Sequence, residues 1–146
     1  MTKEIDKMLD HILFLARHFQ ANDVKYIAMI ILLELGFEPK YDGYHYLVNA
    51  IVLYLQVPSQ ITVKNLYSAV AALYNGSVDA EQVEQAIRSA IRKAWNKSSE
   101  NWYCYFQARP SNADFISTIA CIVELWKGWC EEYKTSLHTE EVRQYE

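Results

Sequence analysis

The sequence is poor in the residues that staple, ligate or punctuate a chain. It has three cysteines, Cys104, Cys121 and Cys130, with no CxxC pair among them. An odd, scattered count excludes a disulfide framework and reads as reduced thiols in a cytoplasm. The four histidines, His11, His18, His45 and His138, fall at no metal-ligand spacing with those cysteines, so no metal site is expected. There is no glycine-rich phosphate loop. No Ser/His/Asp or Cys/His arrangement has a context that points to catalysis, and Glu131-Glu132 and Glu140-Glu141 read as solvated acids. Neither an enzyme nor a cofactor is expected. The longest apolar run, Ile27 to Leu33, is far too short to span a bilayer. The first residues, MTKEIDKMLDHILFL, carry acids and no small-residue cleavage site, which argues against a signal peptide and for a cytoplasmic protein away from membranes. A basic excess is missing as well. The formal net charge is −4, against what a general nucleic-acid binder usually carries, although a local basic stripe would be enough for backbone contacts.

What is present is a globular, helical pattern. Hydrophobic residues make up 51% of 146 positions, the composition and size of one domain with one core. Four glycines and three prolines act as punctuation between helical lengths. From Lys3 to Gln20 the apolar residues Ile5, Met8, Leu9, Ile12, Leu13, Ala16 and Phe19 recur every three or four positions, as on an amphipathic helix. A helix from Val24 to Leu35 ends at Gly36 and Pro39; it is apolar on most faces, which places it at the centre of the core. A third runs from Tyr44 to Gln56. Thr62 caps a fourth, Val63 to Tyr74, which Asn75 and Gly76 break. Asp79, with Gln82 as its capping-box partner, starts a fifth that reaches about Asn96. After an aromatic-rich segment from Lys97 to Pro110, Ser111 with Asp114 opens a last helix, Asn112 to about Lys134. No strand pattern or repeat is visible. The fold class is all-α, about six helices around one core. Residues 1–22 form an extra amphipathic helix, 23–134 the main domain and 135–146 a polar acidic tail.

The central pair carries the functional signal. Leu66, Val70 and Leu73 give the fourth helix an apolar stripe, and Val83, Ile87, Ile91 and Ala94 give the fifth another. Two short helices with a tight turn between them make a helix-turn-helix over about 63–96. On the far side of the fifth helix Gln82, Gln85, Arg88, Ser89 and Arg92 line up on one ridge. Glutamine can pair with adenine and arginine with guanine or phosphate. By periodicity alone, a solvated face is the commoner account of such a ridge.

Three motifs in order resemble the C-terminal DNA-binding effector domain of the sporulation initiation response regulator family. Val83, Glu84, Ala86, Ile87, Arg88, Ala90, Ile91, Ala94 and Trp95 follow the family's recognition-helix form V-E-x-A-I-R-x-A-I-x-x-A-W. Gly43 to Leu47 with Ala50 and Ile51 resembles its G-Y-x-Y-L-x-x-A-I helix, and Arg109 to Ile116 its K-P-T-N-S-E-F-I segment. The resemblance implies a regulator of transcription that binds double-stranded DNA, with the recognition helix in the major groove. It implies base contacts from Gln82, Glu84, Gln85, Arg88 and Ser89, with phosphate contacts from Lys64, Arg92, Lys93, Arg109, Ser111 and Asn112. The phosphate role at Arg109 has its own rationale, since Arg109, Ser111 and Asn112 stand at a helix N-terminus that favours an anion.

The sequence also departs from the family. Only about twenty residues precede the shared region, where a receiver domain needs on the order of a hundred, so an effector standing alone is expected. Gln82 and Gln85 replace arginines, and each lost bidentate pair removes about 1–3 kcal/mol of discrimination. The turn Gly76 to Asp79 is slightly longer, and Ala69, Ala71 and Ala72 stand where the family is more charged. These departures, with the acidic net charge, keep open a second reading: a diverged domain that no longer binds DNA and acts by protein contact. A second copy of this chain and a full-length response-regulator relative are the protein partners to consider.

Overall fold

The computed structural model describes residues 24–56 and 62–144, and the helix expected over residues 3–20 lies outside them. The described residues form five α-helices and no strand: α1 Val24–Glu34, α2 Asp42–Gln56, α3 Val63–Ala72, α4 Ala80–Ser98 and α5 Asn112–Gln144. One 3-10 turn, Ser99–Asn101, follows α4. Among the described residues no helix is long and apolar enough to cross a membrane, and no cluster of three His, Cys, Asp or Glu side chains could hold a metal.

Local chemistry explains the helix ends. Gly36, at φ +93°, closes α1. The Phe37 N–H donates to the Leu32 carbonyl at 3.0 Å and the Gly36 N–H to Leu33 at 3.1 Å, the paired bonds of a left-handed helix stop. Thr62 caps α3 by accepting the Asn65 N–H at 3.2 Å. After α3, Asn75 and Gly76 both take positive φ, 54° and 82°, and reverse the chain into α4. Ser111 accepts the Asp114 N–H at 3.2 Å at the start of α5. That helix continues past Lys134 to Gln144, because no glycine or proline stands between Thr135 and Gln144 to stop it.

The helix at the centre is α2 and not α1 as its composition suggested, since α2 packs against all four others. It buries Tyr44, Tyr46, Leu47, Val48, Ala50 and Ile51, whereas α1 leaves Tyr26 and Leu33 exposed. A high apolar content marks a helix as buried on some face, but only packing against neighbours makes it central. Leu73 also departs from expectation. It is 55% exposed because α3 has already ended, and Tyr74 takes its place. The Tyr74 ring stands edge-on to Tyr46 at 5.1 Å, and its hydroxyl accepts from Asn49 at 3.0 Å.

The aromatic segment after α4 contributes Trp102 to the core, with Tyr105 and Phe106 partly buried against it. Trp102 is fully buried among Phe37, Trp95, Phe106 and Phe115. Tyr103 and Cys104 are exposed, the Cys104 thiol donating to the Asn101 carbonyl.

Candidate nucleic-acid interface

The helix-turn-helix is set by α3, the turn through Asn75 and Gly76, and α4. Leu66, Tyr67, Val70 and Ala71 of α3 are buried, as are Val83, Ile87, Ala90, Ile91 and Ala94 of α4. From below, α4 is seated on the first turn of α2. Gly43 makes this approach feasible: a Cβ there would lie 2.3 Å from the Ala86 carbonyl oxygen and 2.7 Å from the Ala90 Cβ.

The start of α4 is held by a reciprocal cap. Asp79 Oδ1 accepts the Gln82 N–H at 2.8 Å, and Gln82 Oε1 accepts the Asp79 N–H at 2.9 Å. Replacing Asp79 with alanine should cost about 1 kcal/mol. Chemical denaturation checks this, and an unchanged midpoint would mean that the cap contributes nothing in solution.

The predicted base-reading residues fall together on the outer side of α4. Gln82, Gln85 and Arg88 are exposed, while Glu84 and Ser89 are half-buried. Two of these side chains are held by a partner one turn back. Gln85 Nε2 donates to Glu81 Oε1 at 3.2 Å, and the Arg88 guanidinium is paired with Glu84. The second pair holds Arg88 extended along the helix and spends part of the Glu84 acceptor capacity.

The predicted phosphate contacts divide between different places. Arg88, Arg92, Arg109, Ser111 and Tyr67 line one open cleft of about 470 Å³ between α4, α3 and the start of α5. Three guanidiniums around a helix N-terminus make this a place for an anion. Lys64 is exposed in the first turn of α3. Lys93 lies on the opposite flank of α4, with its ammonium 4.1 Å from the centre of the Tyr41 ring.

Asn112 is a correction. Its side chain is only 8% exposed, and Nδ2 donates to the Glu84 carbonyl at 3.1 Å. Burial pushes the Tyr67 phenol up, and the neighbouring Asn112 side chain acts in the opposite direction. Facing inward, this carboxamide is a clamp between α5 and α4 and is not available to a phosphate. It holds Ser111 and Arg109 in register with the ridge.

Sequence reasoning missed the second flank. Lys40 lies 5.2 Å from the same Tyr41 ring, and Lys97 donates to Glu38 at 3.0 Å. That hydrogen bond, stronger than the opposing burial, holds the Glu38 carboxyl below its usual range. Lys40, Lys93 and Lys97 thus edge α4 on the side away from Arg109. No local signal could have found this group, because Glu38 and Lys97 are 59 residues apart in sequence.

The arrangement is a polar ridge between two cationic margins. An α-helix with its side chains is about 10–12 Å across, which matches a major groove about 12 Å wide. Residues 28–123 match the model of the family described as sporulation initiation factor Spo0A C terminal. That span holds the helix pair, both margins and the start of α5.

Proposed function

The chain belongs to the sporulation initiation factor Spo0A C-terminal family, and from that premise we propose that it is a sequence-specific, double-stranded DNA-binding regulator of transcription. The family is one of DNA-binding regulatory domains and not of enzymes. The observation that carries the proposal for this chain is the exposed ridge of α4 between Arg109 on one margin and Lys40 and Lys93 on the other. In this reading Gln82, Gln85, Arg88 and Ser89 face base edges, with Glu84 as an acceptor for cytosine. Arg92, Lys93, Lys64, Arg109 and Ser111 face phosphates. A net charge of −4 does not oppose this, because counter-ion release depends on the few cations at the contact.

The test is selection from a random duplex library at low salt. One sequence class should be enriched. Arg88→Ala should weaken it by about 1–3 kcal/mol and relax one base pair. Arg109→Ala should weaken all duplexes alike and lower the salt slope by about one. No enrichment, or enrichment indifferent to Arg88→Ala, would leave the protein-contact reading, in which the domain pairs with a full-length relative. Homodimerisation on adjacent half-sites fits the DNA reading. Light scattering with and without DNA decides.

A further inference from the structure

Lys40, Lys93 and Lys97 edge the same flank of α4, yet different chemistry holds them. Gly43 seats the start of α2 against Ala86 and Ala90. Lys93 and Lys97 follow Ala90 on one stripe of α4, three and seven positions on. The turn before α2 meets them in order: Tyr41 meets Lys93 and Glu38 meets Lys97. The Tyr41 backbone is fixed there, its N–H donating to the Glu38 carbonyl at 3.1 Å and its carbonyl accepting the Tyr44 N–H at 3.2 Å. These contacts leave the ammoniums unequal. Lys97 donates to the Glu38 carboxylate at 3.0 Å, which offsets its charge and occupies one of its N–H donors. Lys40 lies 3.7 Å from the same carboxylate. The Lys93 ammonium lies over the Tyr41 ring, 4.1 Å from its centre, well within the roughly 6 Å over which a ring face attracts a cation. A ring carries no net charge, so Lys93 keeps its whole charge for an outside anion. Both side chains are exposed, so an anion can approach from solvent.

We propose that Tyr41 is a positioning residue for duplex binding: its ring orders Lys93 in advance, and through Lys93 it sets the affinity for a backbone phosphate without touching a base. A lysine fixed on a phosphate loses rotamer freedom. The ring removes part of that freedom before DNA arrives, so less is lost on binding. The inference rests on the DNA-binding reading above. In that reading the first residues of α4 face base edges, and its second half, which holds Lys93, runs beside the phosphates.

Salt titrations on the selected duplex and on an unrelated one test it. Tyr41→Leu should weaken both duplexes alike, by about three- to tenfold, and leave the preferred sequence unchanged. Tyr41→Phe keeps the ring face and should restore most of that loss. Lys93→Ala should weaken both duplexes and lower the salt slope by about one. In the Lys93→Ala background Tyr41→Leu should cost nothing further, because the ring then has no ammonium to order. A second measurement needs no variant: in the free protein, ring current should shift the Lys93 ε-methylene protons upfield in the NMR spectrum. Ordinary lysine shifts there overturn the proposal. So does a Tyr41→Leu chain that binds like the parent, a Tyr41→Phe chain that binds no better than Tyr41→Leu, or a full further loss in the Lys93→Ala background. If the parent enriches no duplex at all, the DNA-binding reading itself falls and this inference with it; if it binds a site indifferent to Tyr41, only this inference falls.

Discussion

Trp102→Ala is expected to lower stability by about 3–5 kcal/mol, the usual loss when a large buried aromatic is truncated. Trp102 has no exposed surface. Its ring lies 5.6 Å from Phe37, 5.5 Å from Trp95, 5.9 Å from Phe106 and 5.2 Å from Phe115, centre to centre. Its indole N–H donates to the Leu35 carbonyl at 2.8 Å, next to the reversal at Gly36. One side chain thus joins the reversal after α1, α4, α5 and the segment that carries Arg109. Trp102→Phe separates the two contributions. It retains much of the apolar contact but orphans the Leu35 carbonyl, which should cost about 1–3 kcal/mol. Denaturant titration of both variants is the measurement. Trp102→Ala within about 1 kcal/mol of the parent would mean that the aromatic cluster does not hold this core together.

Gly43→Ala should be the most damaging small change near the interface. Alanine in a helix is ordinarily favoured over glycine by about 0.5–1 kcal/mol. Here the added methyl would meet the Ala86 carbonyl oxygen at 2.3 Å and its carbon at 3.0 Å, with the Ala90 Cβ at 2.7 Å. Two of those three atoms are backbone, so no rotamer change relieves the clash, and α2 and α4 must move apart. The loss should reach the upper part of the range for overpacked cores, about 1–3 kcal/mol. Duplex affinity should fall as well, although no ridge residue has changed, because α4 would shift relative to Arg109 and Lys40. Thermal unfolding and a binding isotherm on the selected duplex check both. A Gly43→Ala protein as stable and as avid as the parent would show that the two helices do not pack this closely.

Much of this was legible in the sequence because the chemistry is local. The Asp79–Gln82 cap needs two residues three apart, and the α4 ridge needs only a 3.6-residue period. The reversals at Gly36 and at Asn75-Gly76 follow from residues that tolerate positive φ. The motifs from Gly43 to Ile116 carried the family resemblance because each is a contiguous stretch.

What sequence order left open was decided between elements. Period and composition mark which face of a helix is apolar, but not which helix sits at the centre, and so α2 took the place that the more uniformly apolar α1 suggested. A polar residue at a helix start can face solvent or a neighbour. Asn112 turned inward because the Glu84 carbonyl was within 3.1 Å of its amide, a partner 28 residues away. Lys93 became a margin with Lys40 only when the turn before α2 brought Tyr41 under it. Gln82 shows both levels at once. Its capping partner was readable from spacing, yet whether that bond forms, and with which atom, depends on the folded start of α4. Short-range hydrogen bonds and helical periodicity are properties of neighbouring residues, so the sequence by itself determined the helices, their caps and the ridge. The pairing of distant surfaces depends on how whole helices pack, so the clamp at Asn112, the two cationic margins and the seat of α4 on Gly43 were decided by the tertiary structure alone.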